Sequence, residues 1–314
     1  MDRESNVKIV IIGAGAMGSL FGARLTLAGE EVWLVDISEE TIRIISKDGL
    51  TLTSGDGNIV TRPQATTQVS AAGPADLVII FVKSWATPAA AAAAKHLLKN
   101  DTVVLTLQNG FGNAEILASE LGVGRVIVGI TSQGATLLRP GHVMHGGDGE
   151  TQIGELRGEA SPRLKLVADL LTKSGIPAQP VGNIAAFIWG KLIVNAGINA
   201  VTALTRLYNG QLAQLDETRE LVTAAVQEAA AVAGTVGVTL PFTDPVAKVF
   251  SVAESTAGNR SSMLQDILAG RQTEIDSING VIVREGERLR VPTPVNRVLT
   301  SLIMALDKGL HSDL

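Results

Sequence analysis

Residues 7–12, Val-Lys-Ile-Val-Ile-Ile, are β-branched and almost unbroken in apolarity, and they run straight into Gly13-Ala-Gly-Ala-Met-Gly18. No other stretch narrows the possible folds as much. A short apolar run without alternation predicts a strand covered on both faces, as in parallel sheets flanked by helices. The glycines suit a strand-to-helix turn. Gly13 permits the tight turn, Gly15 lets the backbone approach a diphosphate, and Gly18 lets helix and strand pack closely. The helix that follows offers free N–H groups and partial positive charge to an anion. Ser19 to Ala28 has helical composition and Gly29 closes it. A second strand, Glu31 to Val35, ends at Asp36, where such a turn requires an acid for the ribose. Gly13, Gly15, Ala16, Met17, Gly18 and Asp36 are therefore the expected dinucleotide contacts. A carboxylate at Asp36 accepts bonds from both ribose hydroxyls of NAD and repels the 2′-phosphate of NADP. Ile37 follows it where a base would serve NADP, although Arg43 and Lys47 lie on the next predicted helix. The residues thus favour NAD.

The alternation continues along the chain. Glu39 to Lys47 reads as a helix, Asp76 to Val82 as a buried strand and Thr87 to Leu98 as an alanine-rich helix. Thr102 to Leu107 and Gly124 to Ile130 read as further strands. This pattern predicts βαβ units and a mainly parallel, doubly wound sheet of Rossmann type. Thr136 to Met144 and Glu150 to Glu155 read as antiparallel strands around a glycine turn. Pro162 to Ser174 reads as a helix and Ile176 to Pro180 as an edge strand. From Ile184 onward the pattern is helical, with turns at Tyr208 to Gly210, Val238 to Asp244 and Arg290 to Pro294. The expected domains are residues 1–182, dinucleotide-binding, and 183–314, an all-helical substrate and catalytic domain.

Composition narrows the function classes. The net charge is −5 with no basic stripe, which argues against nucleic-acid partners. There are no cysteines, so disulfides and thiolate metal sites are excluded. His96, His142, His145 and His311 form no ligand-spaced cluster with carboxylates, and no metal is expected; Pro140 to Gly147 reads as a polar hairpin. The start, Met1 to Asn6, lacks the features of a signal peptide. The best membrane candidate, Leu77 to Ala94, is broken by Lys83 and Pro88. A soluble, cytoplasmic protein without membrane contact is expected.

Four further constellations carry chemistry. Lys83, in Phe81-Val-Lys-Ser-Trp85, and Asn109, in Leu107-Gln-Asn-Gly110, follow strands at the sheet edge where open α/β folds bind ligands. Lys191, Asn195 and Asn199 recur at i, i+4 and i+8 within Trp189-Gly-Lys-Leu-Ile-Val-Asn-Ala-Gly-Ile-Asn199. They share one face of a helix that is otherwise apolar. Desolvation there lowers a lysine's pKa toward neutrality, which suits proton transfer. Lastly, Ser261 or Ser262 can cap a helix, and Glu274 and Asp276 lie among Ile275, Ile278 and Ile282, so at least one acid should face a cleft.

Together these motifs resemble the ketopantoate reductase family (2-dehydropantoate 2-reductase). The likeness rests on Gly13 to Gly18, Val82-Lys-Ser84, Gln108-Asn-Gly110, the lysine–asparagine helix, Ser261-Ser-Met-x-Gln-Asp266, Thr273-Glu-Ile-Asp276 with Ile278-Asn-Gly280, and Pro292-Thr-Pro294. The resemblance implies a Rossmann domain followed by a helical one, catalysis in the cleft between them, and reduction of 2-dehydropantoate to pantoate with NADPH in pantothenate and coenzyme A synthesis. It makes Lys191 the catalytic lysine and Glu274 the active-site glutamate. Asn109, Asn195, Asn199 and Ser262 match substrate-binding or lysine-orienting positions, and Lys83 a cofactor-side lysine; Asn109 also neighbours the cofactor. Asp36 and Ile37 depart from the NADPH pattern and favour NADH. The alternatives are a paralogous NADH-dependent reductase of another 2-oxo acid, a non-catalytic dinucleotide sensor, and a methyltransferase, which leaves the lysine–asparagine helix unexplained. The small 2-oxo acid is the expected partner. The alanine-rich stretch Leu221 to Ala233 suits either a homodimer contact or packing inside the domain.

Overall fold

The computed structural model describes residues 6–55, 57–157 and 160–309. The expectations on residues 1–5 and on His311 lie outside the described residues. The chain divides into two compact units: residues 1–108 with 112–184, and residues 109–111 with 185–314.

The first unit opens β1 (Lys8–Ile12), α1 (Ala16–Leu27), β2 (Glu31–Val35) and α2 (Glu39–Asp48). It continues through β3 (Leu50–Ser54), β4 (Gly57–Thr61), β5 (Gln64–Thr66), α3 (Val69–Ala72), β6 (Leu77–Ile80), α4 (Thr87–Ala94), β7 (Val103–Thr106) and α5 (Asn113–Leu121). The last elements are β8 (Val126–Thr131), β9 (Gly134–Arg139), β10 (His142–Gly147), β11 (Thr151–Glu155), α6 (Pro162–Lys173) and β12 (Ala178–Pro180). Eight strands form one sheet in the order β12-β11-β8-β7-β6-β1-β2-β5. Its pairs are parallel except β8 with β11. From β1 the chain builds outward through β2 and β5, then returns to β6 on the other side of β1 and builds through β7 and β8. That reversal between β1 and β6 is the topological switch point, beyond whose strand ends a doubly wound sheet binds ligands.

A second sheet, β4-β3-β10-β9, is absent from the sequence expectations. The stretch 136–144, expected as one strand, is a hairpin of β9 and β10 that turns at Pro140 and Gly141. β11, expected beside it, instead pairs with β8 in the large sheet. Residues 50–66, unassigned from sequence, supply β3, β4 and β5. The reason lies in α1, which packs against β9, β10 and β3 as well as against β1 and β2. Leu20, Phe21, Ala23 and Leu25 of α1 join Ile9, Ile11, Leu34, Leu50, Leu52 and Val143 in one core. A helix apolar all round needs cover on both faces, and the small sheet supplies the second cover.

The second unit is helical: α7 (Ile184–Thr205), α8 (Asp216–Val236), α9 (Pro245–Ser255), α10 (Ser262–Leu268), α11 (Asn279–Leu289) and α12 (Pro294–Gly309). The turn expected at Tyr208 to Gly210 is the start of a short 3-10 helix, Asn209–Ala213. The alanine-rich part of α8 is occupied within the unit: Val222, Ala225, Val226, Ala229, Val232 and Ala233 are buried. The most membrane-like segment is α7 and not Leu77 to Ala94. It is long and apolar enough to cross a bilayer, but two thirds of its apolar window is buried inside the fold. Here Trp189, Leu192, Ile193, Ala196, Ala200 and Val201 form the centre of the unit's core.

Candidate functional site

In the sheet unit, the chain leaves β1 at Gly13. Its φ of 107° favours glycine, and a Cβ there would lie 2.7 Å from the Phe81 carbonyl carbon. Gly18 is held more tightly, since its Cβ would stand 1.8 Å from the Gly13 oxygen. Gly15 differs: nothing lies within 4 Å of the place its Cβ would take. It is the N-cap of α1, whose first turn has no acid and no side-chain cap. Orphan N–H groups facing open space suit a diphosphate. The turn is fixed from behind, because Gly13 N–H donates to Val35 O (2.8 Å) and Ser19 Oγ to Ala14 O (2.9 Å).

Asp36 has a second task that its sequence position hides. Its Oδ2 accepts from Ala14 N–H at 2.7 Å and its Oδ1 from Ser38 N–H at 2.9 Å. The carboxylate therefore ties β2 to the glycine turn. Each oxygen keeps a second lone pair for a ribose hydroxyl. Ile37 beside it is 92% exposed, with no base in its place. The residues present thus fit a dinucleotide, and an anion beside Asp36 less well than a diol.

Lys83 follows β6 and is partly buried; Ser84 opens a 3-10 turn leading into α4. The nearby Gln108, quoted within the motif Gln108-Asn-Gly110 but given no role of its own there, is structural. Its Nε2 donates to Val82 O (2.7 Å) and to Thr87 Oγ1 (2.9 Å), while Thr106 Oγ1 donates to its Oε1 (2.9 Å). Gln108 thereby joins the end of β7 to the loop that carries Lys83.

In the helical unit, α7 holds Lys191, Asn195 and Asn199 on one face. Asn199 is buried, and Lys191 and Asn195 are partly so. Burial pushes the Lys191 ammonium from its usual 10.5 down to about 8, and the negative charge of Glu274 pulls it back upward. Lys191 keeps some accessible surface, so its amine is desolvated by apolar neighbours without being sealed off. Glu274 is buried, whereas Asp276 is exposed and paired with Arg284. Of the two acids, only Glu274 faces inward.

Asn109, with Gly110 and Phe111, belongs to the same unit as Lys191, although Gln108 and Gly112 on either side lie in the sheet unit. Phe111 N–H donates to Ser277 O at 3.0 Å, and the Phe111 ring stands 5.5 Å from Trp189. Gly110, with φ of 86°, approaches so closely that a Cβ would lie 2.5 Å from that same oxygen.

Ser261 is buried and caps α10, accepting from Leu264 N–H at 3.1 Å. Thr202 Oγ1 lies 2.7 Å from Ser261 Oγ, one turn beyond Asn199 on α7. The polar row of α7 therefore extends by one residue and locates α10, on whose first turn Ser262 is exposed. His142 and His145 lie on β10; His142 Nε2 is 2.7 Å from Thr53 Oγ1 and His145 Nε2 is 2.7 Å from Gln133 Oε1. Among the described residues no cluster of three or more His, Cys, Asp or Glu is placed to hold a metal.

Two family profiles match the chain: ketopantoate reductase PanE/ApbA over residues 9–158, and its C-terminal domain over residues 183–307. The chain belongs to the ketopantoate reductase family. A 2-dehydropantoate 2-reductase of Archaeoglobus fulgidus is 38% identical over 304 residues, 96% of this chain and 99% of the relative. One of Vibrio cholerae is 32% identical over the same share of this chain and 99% of its own. A crystal structure of a PanE/ApbA family ketopantoate reductase from Ralstonia eutropha superposes with a TM-score of 0.90 at 34% identity, covering 97% of this chain and all of that one. The ternary structure of D-mandelate dehydrogenase with NADH and anilino(oxo)acetate superposes at 0.91 with 31% identity, covering 98% and 100%. The fold class expected from the glycine turn is thus that of the family, and the chain is an oxidoreductase that uses a nicotinamide cofactor and a small-molecule substrate.

Proposed function

We propose that this chain reduces 2-dehydropantoate to pantoate, with Lys191 as the general acid, the sheet unit binding the dinucleotide and the helical unit the substrate. The observation that carries the reading is the buried ammonium of Lys191 on α7, held at about 8 by desolvation against Glu274. An acid with a pKa near the operating pH is both protonated and ready to give its proton. A bound nicotinamide supplies the hydride. As charge gathers on the ketone oxygen, the Lys191 ammonium stabilises it and donates the proton. Asn195 and Asn109 hold the amine and carbonyl in line. Asn199 and Ser262 bind the carboxylate or a hydroxyl of the substrate, and Glu274 takes the distal hydroxyl while keeping Lys191 charged. On the dinucleotide, the α1 N–H groups behind Gly15, Ala16 and Met17 hold the diphosphate, Lys83 approaches from the neighbouring loop, and Asp36 takes the ribose.

Asp36 with the exposed Ile37 supports NADH over NADPH. The exposed apolar row Val298, Leu302 and Leu306 on α12 supports a homodimer better than α8 does. The cytoplasm, where nicotinamide pools and small 2-oxo acids meet, is the compartment this chemistry suits. The test is initial-rate measurement on 2-dehydropantoate with NADH and NADPH side by side, for the wild type and Lys191→Ala. Loss of a single general acid removes about 10²–10⁴-fold in turnover, while NADH binding followed by fluorescence survives. Undiminished turnover in Lys191→Ala refutes the role of Lys191. Turnover of other 2-oxo acids but not 2-dehydropantoate refutes the substrate.

A further inference from the structure

Glu274 lies in a segment that no regular structure holds. Residues 271–274 run irregularly from α10 to a 3-10 turn at Ile275–Ser277. What anchors the backbone just before Glu274 is a residue 34 positions away. Asp307 accepts from Thr273 N–H at 3.2 Å (Oδ1) and 3.3 Å (Oδ2), and from Thr273 Oγ1 at 2.7 Å (Oδ2). Both residues are buried. The Thr273 hydroxyl also lies 3.4 Å from Ile275 N–H, so the grip brackets Glu274 on both sides.

Asp307 is a poor choice for the helix that carries it. It sits in the last turn of α12, where the helix dipole disfavours an anion. It is buried, and a buried carboxylate is costly unless its oxygens are satisfied. Among the described residues all its side-chain hydrogen bonds come from Thr273, and no lysine or arginine pairs with it. A residue that opposes its own helix and its own burial is of the kind expected where function overrides local preference.

We propose that Asp307 is a positioning residue for the reaction: by gripping Thr273 it holds the backbone that sets the Glu274 carboxylate beside Lys191. This rests on the reading of Lys191 and Glu274 given above. Three hydrogen bonds from two donors fix one carboxylate in one orientation, so the Thr273 backbone cannot rotate without losing them. Glu274 is the charged group that acts on Lys191, and a carboxylate's influence on an ammonium falls with distance. A displaced Glu274 therefore changes when Lys191 loses its proton.

The experiment measures kcat/KM against pH for the wild type, Glu274→Gln, Thr273→Val, Asp307→Asn and Thr273→Ser, with thermal unfolding of each. An opposite charge nearby shifts a pKa by roughly 1–3 units, so Glu274→Gln should lower the basic limb by about one pH unit. Thr273→Val and Asp307→Asn should lower it by about half a unit, roughly threefold in kcat/KM on that limb. Thr273→Ser keeps both donors and should keep the limb of the wild type. If Glu274→Gln moves the limb while Thr273→Val and Asp307→Asn lower only the unfolding temperature, Asp307 is merely structural and the proposal is overturned. If Glu274→Gln itself leaves the limb in place, the reading of Lys191 is what fails. Should Asp307→Asn not fold, Thr273→Val decides alone.

Discussion

Lys191 should make the protein more stable in alkali, a counter-intuitive result that follows from its burial. In the unfolded chain its amine releases its proton near the ordinary 10.5; in the folded protein it does so at about 8. Below pH 8 both states are protonated and the folded state carries the whole cost of a desolvated ammonium. Between pH 8 and 10.5 the unfolded state binds more protons, so stability rises with pH. The interval is worth about 3 kcal/mol, at about 1.4 kcal/mol per pH unit. Other groups that titrate in this range obscure the effect in the wild type alone. The comparison with Lys191→Met isolates it, since the two proteins differ in this one amine. Urea unfolding of both proteins at half-unit steps from pH 7 to 10.5 gives two curves of free energy against pH. The wild-type curve should climb relative to the variant by about 3 kcal/mol and be level with it in slope outside the window. Parallel curves would refute the claim that this amine is buried at the cost of stability, and with it the general-acid argument.

Two other outcomes follow from the packing. Gly15→Ala should keep the unfolding temperature, because nothing lies within 4 Å of the new methyl, yet weaken NADH binding measured by fluorescence titration; Gly18→Ala, with 1.8 Å to the Gly13 oxygen, should lose both. Equal behaviour of the two variants would remove the diphosphate from the space before Gly15. Asn296→Ala should destabilise the helical unit by about 1–3 kcal/mol in chemical unfolding, because it strands buried partners. Asn296 Nδ2 donates to Ala225 O (2.9 Å) and Glu228 Oε2 (2.7 Å), and its Oδ1 accepts from Asn279 Nδ2 (3.0 Å). A change within a few tenths of a kcal/mol would show that the network is dispensable.

Much of the architecture was legible because it is local. β1, the glycine turn, α1, β2 and Asp36 follow one another without a break, and each residue type there answers a backbone requirement of its own position. The row Lys191, Asn195, Asn199 was legible for the same reason, since helical periodicity alone puts the three on one face. The second sheet was not. β3 pairs with β10 across 90 residues, and its strands are short and half-polar, so no window of sequence contains the reason for them. The assignment of 109–111 to the helical unit was equally hidden, because it depends on the Ser277 carbonyl and the Trp189 ring.

The chain's own order of residues determined that a strand-turn-helix would present free N–H groups to an anion and that one lysine would sit on an apolar helix. Those outcomes need only neighbours within a turn or two. The tertiary structure decided which acid stands by that lysine, turning Glu274 inward and Asp276 out to Arg284. It also decided what holds that acid in place. Charge interactions and hydrogen bonds act over a few ångströms of space, and only the packed fold brings Thr273 to Asp307 or Glu274 under the influence of α7.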